Sequence, residues 1–314
     1  MNVLIIGAGG VGIGLATSIK SQGAEVSIFA RGKTAKAIRE NGIKRTGLFK
    51  HYEFDDIPVF ESYGEIPKNT FDYIFIASKT TANEDISNNL NENRDIFKDS
   101  TKIIIFQNGF GNDDAYLRYF TKKQVFSARV ITGFKRPERH VSEVTVYTEP
   151  IQLGSLQGEN PDCLKEIAEM ITSSGIKCET TTEIDKYLWA KMLYNCALNP
   201  LGAILDVTYG QLTENNYTIE IMDNIIDEIF EVIKASPYET FWQNSQEYKD
   251  LFYSKLIPDT YNHFSSTHQD IKRKIKTEID SLNGKVIQLG EDNNINVETN
   301  RLIYNLIKAI EITF

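Results

Sequence analysis

The chain has 314 residues, enough for about two domains with sizeable cores. Its 43 acidic residues against 34 basic ones leave a net charge of −9, which argues against nucleic acid or an anionic membrane as the main partner. No apolar run approaches a membrane span, and Val3–Ile6 is too short for the core of a signal peptide. The three cysteines, Cys163, Cys178 and Cys196, show no C-x-x-C spacing, so neither a disulfide framework nor a zinc site is expected and the chain reads as cytoplasmic.

The chain opens with a β-branched run, Val3 to Ile6, that reads as a buried parallel strand. It breaks at Gly7, and Gly7, Gly9 and Gly12 then fall in G-x-G-x-x-G spacing at the start of a helix that runs through Ile19. Gly7 suits the tight turn, Gly9 lets backbone approach a pyrophosphate, and Gly12 lets the helix pack closely on the sheet. Together with the free N–H groups of the helix start, this predicts a dinucleotide site.

Glu25 to Phe29 is a second strand, and it ends at Ala30-Arg31-Gly32-Lys33. An NAD site usually places an acid here, about twenty residues past the glycines, whereas a nearby arginine suits a 2′-phosphate. With Arg31 and Lys33 in that place, NADP is favoured over a merely solvated basic loop. Lys33 to Glu40 reads as a short helix, and Gly42 to Phe60 has no clean period beyond the suggestion of a hairpin. Phe71 to Ser78 is a strand followed by Lys79, Asn83 to Phe97 a polar helix, and Lys102 to Phe106 a buried strand that ends in Gln107-Asn108-Gly109. Ligands of open α/β sheets sit beyond the carboxyl ends of the strands, so Lys79 and Asn108 are candidates, against their plainer readings as a surface lysine and a turn asparagine.

Val125 to Val130, Thr145 to Tyr147, Ile151 to Leu153 and Ile176 to Cys178 read as further strands, with a helix at Leu164 to Ile171. The α/β alternation then stops. Thr180 to Glu183 has capping-box spacing, and nearly everything after it has helical period, including stripes at Ile221–Ile233, Ile271–Leu289 and Ile303–Ile310. The expected domains are 1–182 and 183–314.

Two stretches of the second half carry polar groups among apolar ones. In Leu188-Trp189-Ala190-Lys191 through Leu201, the residues Lys191, Asn195 and Asn199 recur every four positions and line one helix face. They either hydrogen-bond across the domain junction or meet a polar ligand. In Ser265 through Gly284, Glu278 lies beside the Ile271, Ile275, Ile279 stripe and points inward or pairs with Lys274 on the surface.

These stretches resemble the ketopantoate reductases nearly end to end. The likeness covers the glycine motif with a basic residue after the second strand, the lysine after the fourth strand, and the N-G-x-G turn. It extends to L-W-x-K-x-x-x-N-x-x-x-N-P-L and S-S-x-x-Q-D-I followed by K-T-E-I-D-x-x-N-G. The resemblance implies a Rossmann-type α/β domain that holds NADP (as NADPH), followed by an all-α domain. It makes Lys191 the catalytic acid/base with Glu278 supporting it and contacting a substrate hydroxyl. Asn195, Asn199 and Ser266 then bind a small 2-oxoacid substrate. Gly7, Gly9, Gly10 and Gly12 cradle the cofactor, Arg31 and Lys79 approach its 2′-phosphate end, and Asn108 lies by the nicotinamide ribose and the substrate. On one straight helix Ser266 and Glu278 stand about 120° apart, so the helix bends or the ligand sits across its edge.

The chain departs from the family at Phe134–Glu138, where a small-residue segment is usual and Tyr147 stands near an expected histidine, and at Glu298, where a proline is usual. The first departure bears on which substrate is taken. The implied activity is reduction of 2-dehydropantoate. The alternatives are reduction of another branched 2-oxoacid, or an NADP-binding protein without turnover. The sequence leaves the oligomeric state open, a homodimer being compatible with it.

Overall fold

The computed structural model describes residues 1–314, and their contacts divide them into two units, 1–107 with 112–184, and 108–111 with 185–314. The first unit is α/β and the second is helical.

The strands of the first unit are β1 (Asn2–Ile6), β2 (Glu25–Phe29), β3 (Ile43–Gly47), β4 (Tyr52–Phe54), β5 (Val59–Phe60), β6 (Phe71–Ile76), β7 (Phe97–Ile105), β8 (Val125–Arg129), β9 (Gly133–Lys135), β10 (Val141–Val146), β11 (Ile151–Gly154) and β12 (Cys178–Thr180). Its helices are α1 (Gly10–Lys20), α2 (Gly32–Asn41), α3 (Asn83–Glu92), α4 (Asp114–Leu117) and α5 (Lys165–Ser173). The main sheet has the order β12-β11-β8-β7-β6-β1-β2-β5, parallel except where β11 meets β8. The central strand β1 shows why: Val3 and Ile5 join the core on one face, and Leu4 and Ile6 the core on the other, all at most 2% exposed. A strand buried on both faces has no polar side to show solvent. The chain reverses its lateral direction at β1, between β2 and β6, which is where open α/β sheets bind ligands.

A second sheet, β4-β3-β10-β9, is absent from the sequence reading beyond the hairpin of β3 and β4. The strand read at Thr145 to Tyr147 is β10, which runs Val141–Val146 and belongs here. Arg45 of β3 clamps this sheet to the helices. Fully buried, it donates to the Ser18 hydroxyl of α1, to the Ser174 hydroxyl (3.0 Å) and carbonyl (2.6 Å) after α5, and to Lys50 O (3.2 Å). Nη1 and Nη2 meet four oxygens between them while Nε–H meets none, and these four bonds offset much of the cost of burying the cation without a carboxylate. Desolvation lowers its pKa. The clamp sets β9 and the loop after it beside α1, where the functional consequences lie.

The helical unit contains α6 (Ile184–Leu205), α7 (Asn216–Ala235), α8 (Ser245–Leu251), a π-helical stretch Phe252–Leu256, α9 (Ile257–Asp259), α10 (Ser266–Lys272), α11 (Asn283–Asn293) and α12 (Glu298–Glu311). No helix is long and apolar enough to cross a membrane. Pro200 lies inside α6 and has no N–H for the carbonyl of Cys196, four residues earlier. Asn283 Nδ2 reaches that carbonyl instead at 3.3 Å, and also Asn300 Oδ1 at 3.0 Å. Asn300 in turn donates to Glu228 Oε2 at 2.7 Å, so one buried amide network joins α6, α7, α11 and α12.

Two expectations are corrected. The stripe Ile271–Leu289 is not one helix. The helix α10 stops after Lys272 in a Schellman turn, with Lys274 left-handed at φ 53°, its N–H on Ile271 O (3.0 Å), and the Ile275 N–H on Asp270 O (2.9 Å). A lysine in the place usually held by glycine leaves no punctuation in the sequence. The capping box at Thr180 does not form either. Thr180 belongs to β12, and Thr181 Oγ1 accepts from the Glu183 N–H at 3.0 Å just before α6.

Candidate active site

The glycine loop comes first. Gly7 follows β1 at φ 108°, and a Cβ there would stand 2.6 Å from Ser78 N, at the end of β6. This is the switch point of the sheet, and Lys79 follows directly as the residue before a short 3₁₀ turn. A Cβ on Gly12 would strike the Gly7 carbonyl at 1.9 Å, so only glycine lets α1 come this close to β1. At Gly9 a Cβ would meet nothing within 4 Å. No side chain caps α1 and its first turn carries no acid, so its opening N–H groups face that space with a positive dipole end. The cradle fits a dinucleotide pyrophosphate. Arg31 lies exposed before α2 with its guanidinium 5.2 Å from the centre of the Phe29 ring.

The segment around Phe134 stands over this loop. A Cβ on Gly10 would meet Phe134 O at 2.9 Å, Ser142 Oγ donates to Gly10 O at 2.7 Å, and Arg136 Nη1 donates to Ala8 O at 3.0 Å. The departure noted at Phe134–Glu138 is thus a neighbour of the glycine loop.

In the helical unit three expected residues meet directly. Lys191 of α6 donates from Nζ to Asn108 Oδ1 at 2.7 Å, and Asn108 Nδ2 donates to Glu278 Oε2 at 3.0 Å. Asn108 belongs to this unit because its loop is fastened there. Gly109 is left-handed at φ 93°, and a Cβ on it would lie 2.4 Å from Ser281 O. The Phe110 N–H donates to the same carbonyl at 2.9 Å, and the Phe110 ring packs on Trp189 and Tyr238 with centroids 4.7 Å apart in each pair.

Each residue of Lys276-Thr277-Glu278-Ile279-Asp280 but the first has a visible task. Thr277 is held at its N–H (2.7 Å) and hydroxyl (2.6 Å) by Glu311 Oε1 of α12. Ile279 is fully buried against Ala203 and Ile307, and Asp280 faces outward to Tyr304 and Lys308. The backbone between them turns Glu278 inward, 8% exposed, so it makes no surface pair with Lys274. Ser266 and Glu278 do not share one straight helix, because Glu278 lies beyond the end of α10.

Asn195 and Asn199 are buried on the same face of α6, at 8% and 5% exposure. Asn199 Oδ1 accepts from the Tyr209 hydroxyl at 2.7 Å, and Asn199 O from Ser265 Oγ at 3.0 Å. Burial pushes the Tyr209 phenol well above its ordinary value, so it stays a donor and Asn199 presents its Nδ2 group elsewhere. Tyr209 carries no sequence signal for this task. Ser266 is exposed at the start of α10, whereas its neighbour Ser265 is buried and caps that helix through the His268 N–H (2.9 Å). Ser266 is not joined to the Lys191–Asn108–Glu278 chain.

Both halves match family models. Residues 3–158 match ketopantoate reductase PanE/ApbA, and residues 183–311 match the ketopantoate reductase PanE/ApbA C-terminal domain. The chain belongs to the ketopantoate reductase family. The 2-dehydropantoate 2-reductase of Aquifex aeolicus is 34% identical over 313 residues, covering 99% of this chain and 97% of that one. The enzyme of the same name from Pyrococcus horikoshii is 28% identical over 323 residues, at 99% and 98% coverage. The fold is shared with a PanE/ApbA family ketopantoate reductase from Ralstonia eutropha, at TM-score 0.86, 23% identity, and coverage of 100% and 99%. It is also shared with a D-mandelate dehydrogenase solved with NADH and anilino(oxo)acetate, at TM-score 0.87, 21% identity, and coverage of 100% and 99%. The chain shares with these solved structures a fold in which an α/β unit is followed by a helical one.

Proposed function

We propose that the chain reduces 2-dehydropantoate to pantoate with NADPH, the reductive step of pantothenate and coenzyme A synthesis, in the cytoplasm. The observation that carries this reading is the hydrogen-bonded chain Lys191–Asn108–Glu278, an ammonium positioned by an amide that a carboxylate holds. Gly7, Gly9, Gly10 and Gly12 with the start of α1 hold the cofactor pyrophosphate, Arg31 and Lys79 take its 2′-phosphate end, and Asn108 borders its nicotinamide ribose. Bound NADPH supplies the hydride.

As the ketone carbon is reduced, negative charge develops on its oxygen. The Lys191 ammonium stabilises that charge and delivers the proton. Asn108 fixes where Nζ stands, and Glu278 holds Asn108 and accepts from the substrate hydroxyl. Asn195 and Asn199 offer neutral amide donors to the substrate carboxylate, the second with its Oδ1 already occupied by Tyr209. Ser266 adds a hydroxyl from the start of α10.

Assaying the purified protein with NADPH against a panel of 2-oxoacids tests this. The highest kcat/KM is expected with 2-dehydropantoate. A higher value with a 2-oxoacid lacking the terminal hydroxyl removes the assignment to pantoate formation, and no turnover with any 2-oxoacid removes the reductase reading.

A further inference from the structure

The place that discriminates between the two nicotinamide cofactors is the end of β2, and the fold brings an acid there from another strand. The strands β2 and β5 pair in parallel, Ile28 with Val59 and Phe29 with Phe60, and the Ala30 N–H donates to Phe60 O at 3.1 Å. Arg31 and Glu61 therefore leave the sheet side by side. Glu61 Oε2 accepts from the N–H of Gly32, the first residue of α2, at 2.9 Å, and its other oxygen takes the Arg39 guanidinium. The Arg39 hydrogen bond, and after it the Gly32 amide, hold this carboxyl below the usual carboxylate range, so it is ionised at neutral pH. The same turn gathers cations: Arg31 on the Phe29 ring, and Arg139, whose Nη1 donates to Thr34 Oγ1 at 3.4 Å.

In a dinucleotide fold an acid past the second strand accepts from the ribose 2′-hydroxyl, and a cation there favours the 2′-phosphate. About twenty residues past the glycines this sequence holds only bases. The fold supplies the acid some thirty residues later in the chain, on the neighbouring strand. We propose that Glu61 is a specificity-determining residue that reads the 2′ position of the adenosine ribose, accepting from a hydroxyl and opposing a phosphate. It tempers the preference for NADPH that Arg31 confers. A 2′-phosphate approaching the first turn of α2 meets a carboxylate already holding the Gly32 amide and one of the local arginines. The inference rests on the dinucleotide part of the proposed function and is independent of the 2-oxoacid reduced.

Titration calorimetry of the unmutated protein, Glu61→Gln and Glu61→Ala with NADPH and with NADH tests it without turnover. Glu61→Gln keeps an acceptor for the Gly32 amide while it removes the charge and, with it, the hydrogen bond from Arg39. Both variants should bind NADPH roughly three- to tenfold tighter, the scale of an exposed charge acting on a dianion, with NADH unchanged or weakened up to about threefold. An unmoved NADPH/NADH ratio overturns the assignment of Glu61 alone. Equal losses with both cofactors also overturn it, in favour of a purely structural carboxylate. A protein that binds neither dinucleotide overturns the cofactor reading itself.

Discussion

Asn108 Oδ1 accepts a hydrogen bond from Lys191 Nζ at 2.7 Å, so a residue from the loop after β7 sets the position of an ammonium on α6. The amide has one allowed orientation. An ammonium can only donate and the Glu278 carboxylate can only accept, so Oδ1 must face the lysine and Nδ2 the glutamate. Truncating this side chain leaves the half-buried Lys191 and the buried Glu278 each short of a hydrogen bond, at a cost of about 1–3 kcal/mol. Asn108→Ala should therefore lower kcat about ten- to hundredfold in steady-state assays. Retention of kcat within about twofold removes the positioning role.

Cofactor preference should respond to Arg31. Arg31→Ala is expected to weaken NADPH at least about fivefold more than NADH in fluorescence titrations, since only the phosphorylated ribose gains from a guanidinium there. Equal weakening means that Arg31 shapes the start of α2 without meeting the 2′-phosphate.

The Phe134–Glu138 departure packs on Gly10 and Ala8, so its consequences should appear in cofactor binding before substrate choice. Arg136→Ala removes the hydrogen bond to Ala8 O, which fixes the glycine loop proposed to cradle the pyrophosphate. NADPH and NADH should both weaken, by about three- to tenfold, the net worth of one ordinary hydrogen bond, since the Arg136 side chain is exposed. The order of preference among 2-oxoacids should stay as it is. A reordering of substrates with unaltered cofactor affinity contradicts this placement.

Substrate discrimination should centre on Glu278. A 2-oxoacid without the terminal hydroxyl leaves this buried carboxylate without its ligand partner, so kcat/KM with 2-oxoisovalerate should be roughly ten- to hundredfold below that with 2-dehydropantoate. Glu278→Ala should shrink that ratio as well as the rate. A ratio unchanged by the substitution assigns Glu278 to holding Asn108 alone.

The elements written by local pattern were legible in the sequence. Val3–Ile6, the glycine spacing and the four-residue recurrence of Lys191, Asn195 and Asn199 all follow from backbone periodicity, and each stands where expected. Contacts made at long range were not. The sheet β4-β3-β10-β9 joins strands about a hundred residues apart, and its clamp is a buried arginine that looks like any charged residue in a mixed stretch. Glu278 read as a helical position because the end of α10 rests on a left-handed lysine. Asn108 read as a loop residue of the α/β half because nothing local reveals that Gly109 and Phe110 fasten it to Ser281, Trp189 and Tyr238. Tyr209 and Glu61 act through partners set by tertiary packing, so no spacing rule finds them.

The most direct test is Lys191→Ala, measured by kcat, NADPH affinity and a circular-dichroism melt on the same preparation. If Lys191 delivers the proton, kcat falls by roughly two to four orders of magnitude while NADPH binding and the melt stay close to those of the unmutated protein. If the variant loses stability and its activity per folded molecule is unchanged, Lys191 is a structural group and the catalytic account is contradicted.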